Sequence, residues 1–235
     1  MGRRGRPGPR VASSPMAVTY GQIASPVLVD RLERAGGVMV MRDGHAVAAH
    51  FGSTATEVAL CVKCVGLAVR SDLAVLDVTG AERWLASFLA DALGQSVPSP
   101  GRARQIAGTW CCRVASDRAV VVGPWSTIAR WTQLPGDGTN ERAALTLVGP
   151  RVSQVLADVG LQNDLEIEGL REGWFADSPT VLIRESADRY LLVVDAQQAG
   201  DAWRELLDAG RSLGLSMVGA DALARLAAAP APGIF

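Results

Sequence analysis

The chain has 235 residues, 49% of them hydrophobic and 20% charged, with a net charge of −1. That is enough apolar material for one large domain or two small subdomains sharing a core, and the balanced charge gives no ground to expect a nucleic-acid partner. No stretch reaches the roughly 18 uncharged apolar residues of a membrane span, no secretory signal is apparent, and the four cysteines read as reduced thiols of a cytoplasmic protein.

Residues 1–15 stand apart. Arg3, Arg4, Arg6 and Arg10, interspersed with proline and glycine, form a basic arm with nothing to bury and are expected to be disordered; Met16 offers an alternative start. Val38–Met41 and Ala46–Ala48 flank Asp43-Gly44, the signature of a tight hairpin. His45 falls in that turn and is expected to be solvated. Thr54 to Val65 follows as a helix with Val58, Cys61, Val62 and Val65 on one face and Gly66 as its C-terminal cap. Cys61 and Cys64 are then at i and i+3, but neither the adjacent pair Cys111 and Cys112 nor either histidine completes a set of metal ligands, so no metal site is expected.

The next element occurs twice. Leu76-Asp77-Val78-Thr79-Gly80 runs into a helix with Trp84, Leu85, Phe88 and Leu89 on one face. Leu145-Thr146-Leu147-Val148-Gly149-Pro150 runs into a helix with Val152, Val155, Leu156 and Val159 on one face. Gly80 and Gly149 are 69 residues apart, too long for a solenoid period, and two related halves of one compact protein is the reading. Between the copies, Val97 to Arg104 reads as a loop. Thr109–Val114 and Ala119–Val122 form a second hairpin turning at Ser116-Asp117, Gly123-Pro124 opens a short helix through Ile128 and Trp131, and Pro135–Asn140 is a linker. After the second copy, Thr180–Arg184 and Tyr190–Val194 pair as strands. Asp201–Gly210 is a helix that buries Trp203, Leu206 and Leu207. Leu215–Val218, an alanine-rich helix from Asp221 and a Pro-Ala-Pro tail end the chain. Low exposure is expected for Trp84 and Trp203. Frequent hairpins among interleaved helices make the fold class α+β, with two related subdomains of mainly antiparallel sheets and flanking helices. The expected units are 16–134 and 141–235, packed as one. No glycine-rich dinucleotide motif, P-loop or zinc-knuckle pair is present, so composition and spacing alone identify no chemistry.

Three segments in order carry a family resemblance. Val65-Gly66-Leu67 through Val78-Thr79-Gly80, Ala144 through Gly149-Pro150-Arg151, and Gly219-Ala220-Asp221-Ala222-Leu223-Ala224-Arg225-Leu226 resemble the aminomethyltransferases (glycine cleavage T-proteins). Leu93–Val122 and Ala202–Ala209 are similar to the gamma subunit of heterotetrameric sarcosine oxidase, a relative of the same fold. The resemblance implies a tetrahydrofolate-binding fold around a central channel, here without the family's C-terminal barrel. It also implies departures. Where the family has a strand reading Gly-Ile-Ile-Asp-Asp, this chain has Gly108-Thr109-Trp110-Cys111-Cys112. Cys111 and Cys112 thus stand where the catalytic carboxylate is expected, and a thiol with a pKa of about 8.5 is a poor substitute. The family's glutamate loop shortens to Arg184-Glu185-Ser186-Ala187-Asp188, leaving Glu185 as the candidate for the pterin edge. Arg225 matches the second arginine of the last motif, and Trp110 and Trp174 offer aromatic surface near the substituted motifs.

Three readings follow from the resemblance. The chain is a tetrahydrofolate-binding module of one-carbon metabolism, catalytically weak or an accessory to an oxidase or dehydrogenase subunit; or a small one-carbon transferase using Cys111, Cys112, Glu185 and Arg225; or a non-folate scaffold subunit of a sarcosine oxidase-like amine oxidase complex. The missing carboxylates favour the first and third. A channel open beside Glu185 or Arg225 would support folate; one plugged by Trp or Leu side chains would support the scaffold.

Overall fold

A computed structural model describes residues 17–20, 26–131 and 142–228. The basic arm, the Pro135–Asn140 linker and the proline-rich tail lie outside the described residues. In chain order the elements are β1 (Ala17–Tyr20), α1 (Pro26–Arg34), β2 (Val38–Arg42), β3 (His45–His50), α2 (Thr54–Lys63), β4 (Val65–Val69), β5 (Leu73–Thr79), α3 (Glu82–Leu93), β6 (Arg102–Ile106), β7 (Thr109–Arg113), β8 (Arg118–Pro124) and α4 (Trp125–Ile128). They continue with β9 (Arg142–Val148), α5 (Val152–Asp158), β10 (Leu170–Phe175), β11 (Ser178–Ser186), β12 (Arg189–Asp195), α6 (Ala199–Gly210), β13 (Leu215–Met217) and α7 (Ala220–Ala228).

The strands form a sheet of order β1-β5-β8-β7-β6, a second of order β10-β11-β12-β9-β4-β13, and the β2-β3 hairpin. All pairings are antiparallel except β13 with β4. The α+β class and the duplication expected from the strand–glycine–helix repeat are both present. Each copy is a strand, a helix and a three-strand meander whose last strand returns beside the first: β5-α3-β6-β7-β8 and β9-α5-β10-β11-β12. Each also gains an antiparallel neighbour on the far side of its first strand, β1 on β5 and β4 on β9. Because β4 precedes β5 in the chain yet sits in the second sheet, the two halves interlock.

The two sheets pack face to face, and alternation along each strand explains how. Val75, Ala103, Trp110, Cys112, Val120 and Val122 of the first sheet meet Ala144, Leu170, Val181, Ile183, Leu191 and Val193 of the second. These are equivalent positions of the two copies. The opposite faces carry the helices. Leu76, Val78, Cys111 and Val121 pack with Leu85 and Leu89 of α3. Leu145, Leu147, Leu192 and Val194 pack with Val155 and Leu156 of α5, Leu206 of α6 and Leu28 and Leu32 of α1. The layers therefore run helix, sheet, sheet, helix.

Several local expectations are corrected. Gly66 does not cap α2; the Cys64 N–H closes that helix on the Leu60 carbonyl at 2.7 Å. Gly66 lies within β4, where a β-carbon would sit 2.5 Å from the Cys61 sulfur, so its role is close approach of helix and strand. His45 is not solvated: its ring stacks on Trp125 with centroids 3.9 Å apart, and its Nδ1 is buried. Part of the Val97–Arg104 loop is strand β6, in which Ala103 and Ile106 are buried. Trp84 and Trp203 pack against the cores but are only half-buried, because they sit at the margins of their helix faces.

Candidate functional site

The duplication extends to side-chain chemistry in the two meanders. Arg113-x-x-x-Asp117-Arg118 recurs as Arg184-x-x-x-Asp188-Arg189. Arg113 donates to the carbonyls of Ala115 and Ser116 at 3.3 and 2.6 Å, and Arg184 donates to those of Ser186 and Ala187 at 3.2 and 3.1 Å. Each arginine thus clamps its own turn. The Gly80 N–H donates to the Asp117 carbonyl at 2.9 Å and the Gly149 N–H to the Asp188 carbonyl at 2.8 Å, tying each strand–helix corner to its meander.

Arg118 and Arg189, which follow those aspartates, lie opposite Thr79 and Val148 at the ends of the layer between the sheets. The two ends differ. At the first, Arg118 donates to Asp77 from Nε and Nη2 at 3.0 and 2.8 Å and to Glu172 from Nη1 at 2.7 Å. Arg142, only 7% exposed, adds a contact to Asp77 at 3.5 Å and donates to the Pro179 carbonyl at 2.8 Å. That end is closed by its own ion pairs.

The second end is a cleft of about 570 Å³. The first sheet contributes Gln105 and Trp110, and the second contributes Val148, Glu185, Ser186 and Arg189. Gly149, Pro150 and Asp188 form the rim, with Cys61 and Val62 of α2 and Leu226 of α7 opposite. Glu185, 9% exposed, accepts a hydrogen bond from Arg189 Nε at 2.6 Å; the Arg189 side chain is 20% exposed. Trp110 supplies an apolar wall, with its indole N–H buried and unpartnered among the described residues.

Of the residues singled out from sequence, the cleft brings together Trp110 and Glu185. Cys111 and Cys112 are fully buried on opposite faces of β7, Cys111 against α3 and Cys112 between the sheets. Burial pushes the Cys111 thiol up to about 11 and the Cys112 thiol well above its usual value. Cys61 also rises to about 11, through burial and the neighbouring Glu57 carboxylate. Arg225 is exposed on α7 and is not part of the cleft wall, and Trp174 is 69% exposed on β10. Gln105 and Arg189 were not expected from the sequence. The repeated Arg-x-x-x-Asp-Arg would have pointed to Arg189.

The thiol environments predict a labelling result. With Ellman's reagent at about pH 8, the half-buried Cys64 is expected to react and Cys61, Cys111 and Cys112 to stay silent until the chain is denatured. Fast reaction of a second native thiol would contradict this burial pattern.

The cleft's ionisable wall is therefore a buried glutamate already held by an arginine, a rim aspartate and a protonated thiol. Across the layer between the sheets, Trp110, Leu170 and Leu191 fill the space that a through-channel would need. No helix among the described residues is long and apolar enough to cross a membrane.

No protein-family model and no curated protein matches the chain. Solved structures do. The chain is similar to the glycine cleavage system aminomethyltransferase T from Bartonella henselae, with a TM-score of 0.65 and 21% identity over 82% of this chain. It spans 58% of that chain's length. It is also similar to a chain of the heterotetrameric sarcosine oxidase from Corynebacterium sp. U-96, solved with pyrrole 2-carboxylate, with a TM-score of 0.53 and 20% identity over 69% of this chain and 93% of that one. Both likenesses are of fold, and it is the fold that the three sequence segments imply.

Proposed function

We propose that the cleft between the two sheets binds a tetrahydrofolate-class ligand, and that the chain serves one-carbon chemistry as a binding or accessory subunit beside an oxidase or dehydrogenase. The observation that carries this reading is the meeting of Glu185 and Trp110 in one cleft of about 570 Å³, a volume suited to a drug-sized ligand. A carboxylate matches the amino-pyrimidine edge of a pterin through two hydrogen bonds, and an aromatic wall suits its flat ring. The substitution of buried, high-pKa thiols for the family's aspartates argues against catalysis of the transfer by this chain. Thiols 111 and 112 are accordingly assigned to packing.

Calorimetric titration of the full chain with tetrahydrofolate tests the reading. Saturable micromolar binding is expected, weakened about tenfold or more by Glu185→Ala, since a charged hydrogen-bond partner is worth about 1.5–3 kcal/mol. Arg225→Ala, outside the cleft, is expected to leave it within about twofold. Absence of heat from a folded protein would end the folate reading.

A second reading is favoured by a separate observation. The likeness to the sarcosine oxidase chain runs over 93% of that chain, and the layer between the sheets is packed with apolar side chains. A scaffold subunit of an amine oxidase complex would need no ligand, and the same titration separates the two.

A further inference from the structure

We infer that Arg189 is an anion-binding residue and that the ligand of the cleft carries a carboxylate which it receives. The inference rests on the reading of the cleft as a ligand site and adds the chemistry of one end of the ligand. It comes from comparing the two copies. At the closed end, every side-chain nitrogen of Arg118 is satisfied: Nε and Nη2 by Asp77, Nη1 by Glu172. In the second copy the position of Asp77 is held by Thr146 and that of Glu172 by Gln105, both uncharged. The strand registers establish the equivalence. Asp77 faces Val120 and Thr146 faces Leu191, while Glu172 faces Val181 and Gln105 faces Trp110.

Arg189 is therefore the twin of Arg118 with both partner carboxylates removed, the one in its own sheet and the one across the layer. Glu185 holds Nε from within the same meander, and among the described residues Nη1 and Nη2 have no hydrogen-bond or ion-pair partner. A guanidinium that is one-fifth exposed, fixed at one edge and open at the other, presents two donors to the cleft in the geometry that a carboxylate accepts. The charge balance selects the ligand class. Glu185 already lies on the same guanidinium and Asp188 on the rim, so a monoanionic carboxylate is tolerated where a phosphate dianion would be repelled. On a tetrahydrofolate the group is a carboxylate of the glutamate tail, folded back over the ring, because Arg189 adjoins Glu185 at 2.6 Å.

Two probes separate this inference from the folate reading: tetrahydropterin, which has the ring and no carboxylate, and p-aminobenzoylglutamate, which has the carboxylates and no pterin. Each is titrated into the full chain, Arg189→Gln and Gln105→Glu, with circular dichroism and melting as folding controls. Gln105→Glu restores the neutralising acid of the closed end and leaves Arg189 in place, so it decides the matter should Arg189→Gln fail to fold. Both variants are expected to weaken p-aminobenzoylglutamate about ten- to hundredfold and to weaken tetrahydropterin by less, Arg189→Gln the more of the two because it also frees Glu185. No binding of p-aminobenzoylglutamate to the unmodified chain, or binding indifferent to both variants, overturns the assignment of Arg189. Loss of tetrahydropterin binding alone, with an Arg189-dependent p-aminobenzoylglutamate site intact, overturns the pterin reading and leaves the anion site standing.

Discussion

Asp77→Ala is expected to cost about 3–5 kcal/mol of stability, the range for leaving a buried charge without its partner. Asp77 sits between two arginines, with Arg118 in bidentate contact and Arg142 at 3.5 Å. Arg142 is buried, and its Nε has no partner among the described residues. Removing the carboxylate leaves Arg142 with only the Pro179 carbonyl and Arg118 with only Glu172. Neither guanidinium can shed its charge. Because the network joins β5, β8, β9 and β10, the loss falls on both sheets at once. Denaturant unfolding checks the figure, and a melting temperature lower by roughly 10 °C is the companion result. A loss below about 1 kcal/mol would mean that these ions are solvated as ordinary surface pairs.

Gly149→Ala should be comparably severe, at about 2–6 kcal/mol. Its φ of +132° lies where side chains are strained, and an added β-carbon would stand 2.1 Å from the Cys64 carbonyl oxygen and 2.8 Å from that of Cys61. Strain and overpacking each contribute about 1–3 kcal/mol, and both obstacles are backbone atoms at the end of α2 that cannot rotate away. The Gly149 N–H also ties the corner to Asp188 on the cleft rim, so the variant is expected to lose ligand binding along with stability. Gly80→Ala is the control. In that copy the β-carbon would meet only the Trp84 ring, 2.5 Å away, and a side chain can shift. Equal losses at the two glycines would show that the α2 contact does not set the cost.

How much was legible in the sequence depended on where the signal lay. The strand–glycine–helix corners were readable because apolar periodicity and a glycine coincide at both copies. The hairpin at Asp43-Gly44 was readable because two residues of positive φ, 48° and 82°, require that pair. Strand β6 reads as loop from sequence because it is an edge strand whose arginines face solvent, and β10 carries no strand signal because its middle residues are exposed. The duplicated meanders were missed for a different reason. The two glycines are 69 residues apart but the Asp-Arg pairs 71, so a single offset does not align both. His45 defeated local reasoning because Trp125, which covers it, comes from a distant helix.

The site was legible only through resemblance, and only in part. Trp110 and Glu185 came from matching a family pattern, and the cleft brings them together. Cys111 and Cys112 came from the same match, yet alternation along β7 turns one toward α3 and the other into the layer between the sheets. Arg225 lies one residue from the cleft-lining Leu226, and its position on α7 leaves it facing solvent. Arg189 carries no motif by itself; its openness exists only by contrast with Arg118.

The most direct measurement is a crystal structure of the full chain grown with excess folinic acid, an oxidation-resistant tetrahydrofolate. The account predicts density for the bicyclic ring in the cleft against Trp110, its amino-pyrimidine edge on Glu185, and the tail folded back to set a carboxylate on the adjoining Arg189. An intact cleft without ligand density, or the ligand seated elsewhere on the molecule, would contradict it.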